Sequence, residues 1–340
     1  MKLGLMLGYS GAQVHIDMDL VLEAERLGYH SVWSAEAWGS DALTPLAWIA
    51  AQTSTIKLGA GIMQIPGRTP ANAAMSAMTL DALSKGRFIM GLGTSGPQVV
   101  EGWHGQPFTK TLTWMREYIT ICKTIFAREA PLTFHGTKYR IPYDGPGSTG
   151  QGKPLKSILH GNPEIPIFTG SMAPKSQAMS AELADGCLLT CMHPEKSEVL
   201  ETNFQAGLDK AGRPREGFTL APTVAVAMGE DLDRCRYALK HQLALYIGGM
   251  GSKKKNFYKN YICKVGYEEA AEKIQDAFLG GDRKAAVAAV PDDLVDALYL
   301  IGPKERIRDR LDVWRESSAD LLLVGALDKP TLRALAELAL

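Results

Sequence analysis

Apolar runs of strand length alternate with helix-patterned stretches along almost the whole chain, and this alternation limits the possible folds more than any single motif. KLGLMLG (2–8) reads as a buried strand and DMDLVLEAERLGY (17–29) as an amphipathic helix closed by Gly28. SVWSAE (31–36), IKLGAGIM (56–63) and RFIMGLG (87–93) follow as strands. The helices between them, at 43–54 and 69–86, each carry a Thr-Pro start, which predicts N-caps at Thr44 and Thr69. Strands joined one to the next by a helix must pair in parallel through right-handed crossovers. After a break the pattern resumes with PIFTG (166–170), a helix near 174–184, DGCLLT (185–190), a helix near 195–211, FTLAPTVAVAM (218–228) and a long helix (231–247). It closes with a helix at 303–316, ADLLLVGA (319–326) and TLRALAELAL (331–340). About eight evenly spaced parallel strands predict an α/β fold of one kind, a single (β/α)8 TIM barrel over residues 1–340. A doubly wound open sheet is the alternative, disfavoured because no shift of composition marks a second domain.

Two insertions interrupt the alternation. Residues 133–160 hold the hairpin-like TFHGTKYRIP and the Gly/Pro-rich PYDGPGSTGQGKP, and residues 248–300 open with GGMGSKKKNFYKNY before Ala-rich helical sequence. Both are expected at the C-terminal face of a barrel, where loops grow without disturbing the core. The run Lys253–Lys255 reads as a solvated loop face. Lys plus Arg equals Asp plus Glu, 37 against 37, which gives no electrostatic reason to expect nucleic acid or a membrane surface as partner. No apolar run reaches transmembrane length, and the opening residues lack the pattern of a signal peptide. Five scattered cysteines, an odd number, point away from a disulfide framework and toward a reducing, cytoplasmic compartment. Cys187, Cys191 and His193 lie close in sequence, but strand geometry would carry such ligands apart, so no metal site is expected.

GLGTSGP (91–97) has the spacing G-x-G-x-x-G, with Gly91, Gly93 and Gly96 in the glycine places and Glu117 about 20 residues on. A dinucleotide turn belongs to the first βα unit of its domain and runs straight into a helix. Here the motif follows the fourth strand, and the next strong helical pattern begins only near 111. What remains is a loop of backbone N–H groups and hydroxyls at a strand end, suited to a phosphate or a polar cofactor chain. TGSMAPKS (169–176) is a second loop of this kind, and tight turns chosen for geometry alone are the alternative for both. Gly59 and Gly61 weaken the third strand, which points to a bulge or a close ligand, with Ile62 and Met63 presented to a flat ring system. Relief of crowding inside the barrel is the other reading.

SVWSAEAWGSDALTPL, LGAGIMQIPGRTPANAAMSAMTLDALSKGRFIMGLGTSGP, WHGQPFTKTLTWMREYITICKTIF, IPIFTGSMAPKSQAMSAELADGCLL and LIGPKERIRDRLDVWRESSADLLLVG carry a family resemblance over nearly the whole chain. Together they resemble the luciferase-like flavin and deazaflavin oxidoreductases. More narrowly they resemble the branch that uses coenzyme F420, with the methylenetetrahydromethanopterin reductases and the F420-dependent glucose-6-phosphate dehydrogenases. The resemblance implies a TIM barrel, a homodimer, a cofactor ring at the C-terminal face and a non-prolyl cis peptide at Gly61–Ile62 behind that ring. It sets Gly61, Ile62, Thr94, Ser95 and Gly96 against the cofactor, and Gly170, Ser171 and Met172 at its phosphate side. The sugar-phosphate branch has an acidic residue followed by histidine where this chain has Ala35 and Glu36, and glutamate where it has Gly96. Both departures count against glucose 6-phosphate as substrate.

A deazaflavin carries a hydride at C5, so the protein must orient the substrate and supply a proton. Glu36, desolvated by Trp33 and Trp38, is the first candidate for that acid, and an ion pair with Arg68 is the alternative. His104 is the second candidate, or else only part of a structured loop. Trp38 and Trp103 are expected to line the substrate side, and Tyr246, Tyr258 and Tyr261 to form either a lid or plain packing. The reading is an F420-dependent oxidoreductase of a small organic substrate, a carbonyl, imine or activated alkene and its reduced partner. An FMN-dependent monooxygenase and a non-catalytic deazaflavin-binding protein are the alternatives.

Overall fold

The computed structural model describes residues 1–325 and 327–340, and Ala326, the last residue of the ADLLLVGA run, lies outside them. The chain begins β1 (Lys2–Met6), α1 (Met18–Arg26), β2 (Ser31–Ser34), α2 (Leu43–Ala50), β3 (Lys57–Ala60) and its short continuation β4 (Met63–Gln64). It goes on through α3 (Pro70–Leu83), β5 (Phe88–Gly93), α4 (Pro97–Gly102), α5 (Thr111–Ala127) and a small hairpin, β6 (Phe134–His135) with β7 (Arg140–Ile141). Next come β8 (Ile167–Gly170), α6 (Pro174–Leu183), β9 (Gly186–Thr190), α7 (Glu198–Ala211), β10 (Thr219–Met228) and α8 (Leu232–Ala244). The remainder is α9 (Phe257–Ile262), α10 (Glu268–Leu279), α11 (Arg283–Ala288), α12 (Asp292–Leu298), β11 (Leu300–Gly302), α13 (Lys304–Glu316), β12 (Leu321–Gly325) and α14 (Lys329–Ala339).

Every pairing in the main sheet is parallel, and the sheet closes on itself in the order β12–β1–β2–β3–β5–β8–β9–β10. β10 completes the ring, pairing Thr219–Thr223 with β9 and Thr223–Ala225 with β12, while its last three residues carry β11. The fold is therefore the eight-stranded TIM barrel and not the open sheet. Side chains alternate across each strand. Trp33, Ile89, Phe168, Leu188, Leu321 and Leu323 fill the interior, whereas Val32, Leu322 and Val324 pack outward beneath the helices. Burial on both faces is why each strand reads as a nearly unbroken apolar run.

Several details differ from the sequence expectations. Thr69 caps α3, accepting the Asn72 N–H at 3.2 Å, but α2 starts at Leu43 and its first amides go to Asp41 Oδ1, so Thr44 is no cap. α4 follows Gly96 directly, so a six-residue helix does stand behind the glycine loop. The 133–160 insertion follows α5, and its hairpin lies back along that helix. The buried Glu117 carboxylate accepts N–H groups of Thr137, Lys138 and Tyr139 at 2.7–3.1 Å. The acidic residue at the dinucleotide spacing is thus the anchor of a hairpin turn. The second insertion packs beside the loop after β9, where the buried Tyr261 accepts the His193 N–H at 2.8 Å and Tyr246 meets Tyr258 edge to face.

The N-terminal end of the barrel is pinned by single side chains. The buried Arg87 guanidinium donates to the carbonyls of Ser84, Ile56, Ala50 and Thr53 and to the Thr53 hydroxyl. One Glu25 oxygen accepts the N–H groups of Ser54, Thr55 and Ile56 ahead of β3. Among the described residues, no helix is long and apolar enough to cross a membrane.

Candidate active site

β3 stops at Ala60 and the strand resumes at Met63; between them the Gly61–Ile62 peptide is cis, at the position the resemblance implied. The interruption presses this segment against β5. A Cβ on Gly91 would overlap the Ala60 carbonyl oxygen, and one on Gly93 would overlap the Ile62 side chain. The first two glycines of GLGTSGP are therefore required by a neighbouring strand's close approach. Gly59 has the simpler reason of crowding, because the Trp33 ring occupies the space its Cβ would fill. Ile62 and Met6, both partly exposed, cap the interior cluster, and Ile62 Cγ2 lies 3.3 Å from the place of a Gly170 Cβ. The barrel mouth thus offers an apolar side chain between two bare backbones, which is a flat seat.

The Glu36 carboxylate sits beside this seat and is fully engaged. Oε1 accepts from Gln64 N–H (3.0 Å) and Arg68 Nη1 (2.8 Å), and Oε2 from Ala42 N–H (3.0 Å) and Arg68 Nη2 (2.8 Å). Asp41 adds a second carboxylate 3.7 Å from Arg68. Burial pulls the Arg68 pKa down, but the Glu36 bonds outweigh it and the guanidinium is held more firmly protonated than usual. Glu36 is therefore held in a bidentate pair with Arg68, the alternative that the sequence left open beside proton transfer. The supposed aromatic desolvation fails for a reason of strand geometry. Trp33 points into the barrel while Val32 and Ser34 face outward, and Trp38 is 65% exposed.

His104, half-buried at the end of α4, is the group left with a free nitrogen. Its Nε2 lies 2.6 Å from Gln64 Oε1, and among the described residues Nδ1 has no protein hydrogen bond. Gln64, 3% exposed, also reaches the Glu36 carbonyl (3.3 Å) and Ser95 Oγ (3.4 Å) through Nε2. It joins the ends of β2, β4 and β5, and sequence reasoning passed over it. The signal available was one amide side chain in the otherwise apolar run LGAGIMQI. Trp103 is 64% exposed beside His104.

Thr94, Ser95 and Gly96 are half-buried at the end of β5, with Ser95 in the left-handed region at φ +60°. A serine held there is uncommon outside sites that require it. Across the mouth, Gly170 is exposed and Met172 is half-buried, with its sulfur 3.5 Å from Thr190 N–H. Ser171 departs from expectation. Its hydroxyl is buried against Thr169 (3.2 Å) and Ser180 (3.0 Å), so only its backbone faces the loop. α6 starts at Pro174 behind Ala173, with no side chain capping its amides, and a cleft of about 160 Å3 opens there between Met172, Pro174, Asn203, Phe257 and Lys264. An uncapped helix start attracts anions. Another cleft, of about 400 Å3, lies against α12 and α13, and its Arg306, Arg310, Asp296 and Glu195 are already paired with one another. Burial pushes the Cys187 and Cys191 thiols up to about 12, which marks them as packing groups.

A TIM barrel with a broken third strand under its mouth defines a class, and the comparison with known families places the chain within it. The luciferase-like monooxygenase family model matches residues 2–321, and the chain belongs to that family. It is 42% identical over 342 residues, covering 99% of both chains, to a Mycobacterium tuberculosis protein named, provisionally, as a coenzyme F420-dependent oxidoreductase. It is 27% identical over 304 residues to the 5,10-methylenetetrahydromethanopterin reductase of Archaeoglobus fulgidus, covering 89% of this chain and 87% of that one. The structure of the coenzyme F420 dependent tetrahydromethanopterin reductase of Methanopyrus kandleri superposes with a TM-score of 0.81 at 23% identity, over 99% and 97% of the two chains.

Proposed function

We propose that this protein is a cytoplasmic F420-dependent oxidoreductase that moves a hydride between the deazaflavin C5 and a small, uncharged organic substrate. The observation that carries this reading is the seat at the barrel mouth. Ile62 lies partly exposed between the Gly93 and Gly170 backbones, with Thr94 and Ser95 on one side and the uncapped start of α6 on the other. Those residues fit a planar tricycle with a phosphate-bearing tail, and the 42% identical relative carries the F420 name. Gly61, Ile62, Thr94, Ser95 and Gly96 would hold the ring end. Gly170, the Ser171 backbone and Met172 would hold the phosphate side.

When bound, the deazaflavin supplies or accepts a hydride at C5. The chain's own residues do the rest. His104 exchanges a proton with the substrate heteroatom, and the ion-paired Arg68 offers no unsatisfied positive charge to a phosphate or carboxylate. Trp38 and Trp103, on loops at the mouth, supply apolar contact area. A carbonyl, imine or activated alkene and its reduced partner suit such a site. The exposed Trp48, Met75 and Leu83 on the neighbouring helices α2 and α3 support a homodimer through that face, which sedimentation would reveal as a doubled mass.

Separate titrations with F420 and with FMN, followed by absorbance and tryptophan fluorescence, test the assignment. Micromolar or tighter binding of F420 with FMN weaker is the expected result. Preference for FMN would move the protein to oxygen-consuming monooxygenase chemistry, and F420 binding without hydride transfer to any acceptor would leave a carrier.

A further inference from the structure

We infer that Gln64 is a positioning residue that fixes His104 in one protonation geometry, with Nε2–H locked toward Gln64 and Nδ1 as the only nitrogen that can exchange a proton with substrate. This rests on the function proposed above, in which His104 handles the proton.

The hydrogen-bond pattern allows only one arrangement. The Glu36 carbonyl oxygen can only accept, so the Gln64 side-chain atom 3.3 Å from it must be the NH2 group. The other side-chain atom, 2.6 Å from His104 Nε2, is then the amide oxygen. An amide oxygen can only accept, so Nε2 carries a hydrogen in both the neutral and the charged imidazole. The amide cannot turn over without placing its oxygen against the Glu36 carbonyl inside a buried pocket. Its backbone is also fixed, because Gln64 N–H donates to Glu36 Oε1, itself clamped by Arg68. Gly67 completes the holder. A Cβ there would stand 3.1 Å from His104 Cε1, tighter than an ordinary contact, so glycine gives the ring room.

The chemical consequence follows directly. In the reducing direction the substrate carbon takes the hydride while its oxygen or nitrogen takes the Nδ1 proton of the imidazolium. The imidazole left behind is the Nε2–H tautomer, the form Gln64 already holds, and half-buried His104 regains its proton from water. The charged groups on the surrounding elements are Glu36, Asp41 and Arg68, tied to one another, and Glu101 on the helix of His104 itself, whose carboxylate takes the Phe108 N–H at 3.3 Å. None of them stands in hydrogen-bond contact with the ring.

The test is a pH titration of the histidine side-chain nitrogens by two-bond 1H–15N NMR on the full chain, with His104 assigned by its loss in His104→Gln. The expected neutral form is Nε2–H, and Gln64→Glu, which puts a carboxylate in place of the accepting amide oxygen, should move the His104 titration to higher pH. Gln64→Leu should release the tautomer and slow hydride transfer from reduced F420 by about 10- to 100-fold. Gln64→Glu should move the pH profile of that rate upward together with the NMR titration. A neutral Nδ1–H form in the unaltered protein, or a His104 titration that Gln64→Glu does not move, would overturn the inference. Because the NMR measurement needs neither cofactor nor substrate, it stands or falls separately from the F420 assignment.

Discussion

At the N-terminal end of the barrel, Arg87 lies buried among four carbonyls and a hydroxyl with no carboxylate in contact; at the C-terminal end, Arg68 is gripped by Glu36 in a bidentate pair. Burial lowers the Arg87 pKa, whereas the pair raises that of Arg68. The lower arginine satisfies the exposed ends of α2 and α3 and the entry of β3, and every partner is backbone or a neighbouring hydroxyl. The upper one holds Glu36, which holds Gln64, which holds His104. One end uses a buried charge to close the structure, and the other uses a bidentate pair to hold the chain of contacts that ends at His104. The same division separates stability from chemistry across TIM barrels generally.

The sharpest way to break this division is to remove the free nitrogen. His104→Gln should slow single-turnover hydride transfer by about 10²–10⁴-fold and abolish its dependence on pH, while the lost bond to Gln64 lowers unfolding free energy by only about 1 kcal/mol. Stopped-flow bleaching or recovery of F420 absorbance and urea denaturation measure the two halves. Next in size is Arg87→Ala at the opposite end, expected to cost about 3–5 kcal/mol by stranding buried carbonyls, with F420 affinity of the folded protein unchanged. A large loss of affinity there would show that the two ends are coupled after all.

Glu36→Gln belongs between these extremes, because it touches both functions. Leaving Arg68 without its buried partner should cost about 2–3 kcal/mol in denaturant unfolding. The rate should fall as Gln64 loses its anchor, yet the pH profile should keep the inflection that His104→Gln removes. Were the inflection to vanish in Glu36→Gln and persist in His104→Gln, the two roles would have to be exchanged.

The barrel was legible because burial on both strand faces writes itself as unbroken apolar runs, and the helices between them leave no other pairing. β11 and α4 escaped, being too short to show a period. The site was legible only in part. The glycine loop was located, but the reason for Gly91 and Gly93 lies in Ala60 and Ile62, thirty residues upstream, where no local spacing could reveal it. Glu36 was singled out for being a carboxylate near a strand end. Its occupation by Arg68, two backbone amides and nothing else depends on how the interrupted strand turns Gln64 and Arg68 back over β2. Ser171 was placed at the cofactor by the resemblance, although alternation along the strand sends its hydroxyl outward to Ser180 on α6.

The smallest effect tests whether the closing end is electrostatic at all. Glu25 accepts three backbone N–H groups ahead of β3. Burial alone would raise its pKa, but the N–H groups of Ile56, Thr55 and Ser54 prevail and the value is lowered. Above the ordinary glutamate pKa of about 4.3, folded and unfolded chains are both ionised here and the contribution is complete. As the pH falls below that, the unfolded chain takes up the proton first, so stability is lost until the lower, folded pKa is passed. Solvent reaches this carboxylate, so the worth of the contact is about 1 kcal/mol. Glu25→Gln should therefore lower unfolding free energy by about that much at neutral pH, and the gap to the unaltered protein should narrow as urea denaturation is repeated from about pH 6 to about pH 3. A gap that stays constant would mean that Glu25 holds β3 by shape and neutral hydrogen bonding, and that Arg87 is the principal charged pin at that end.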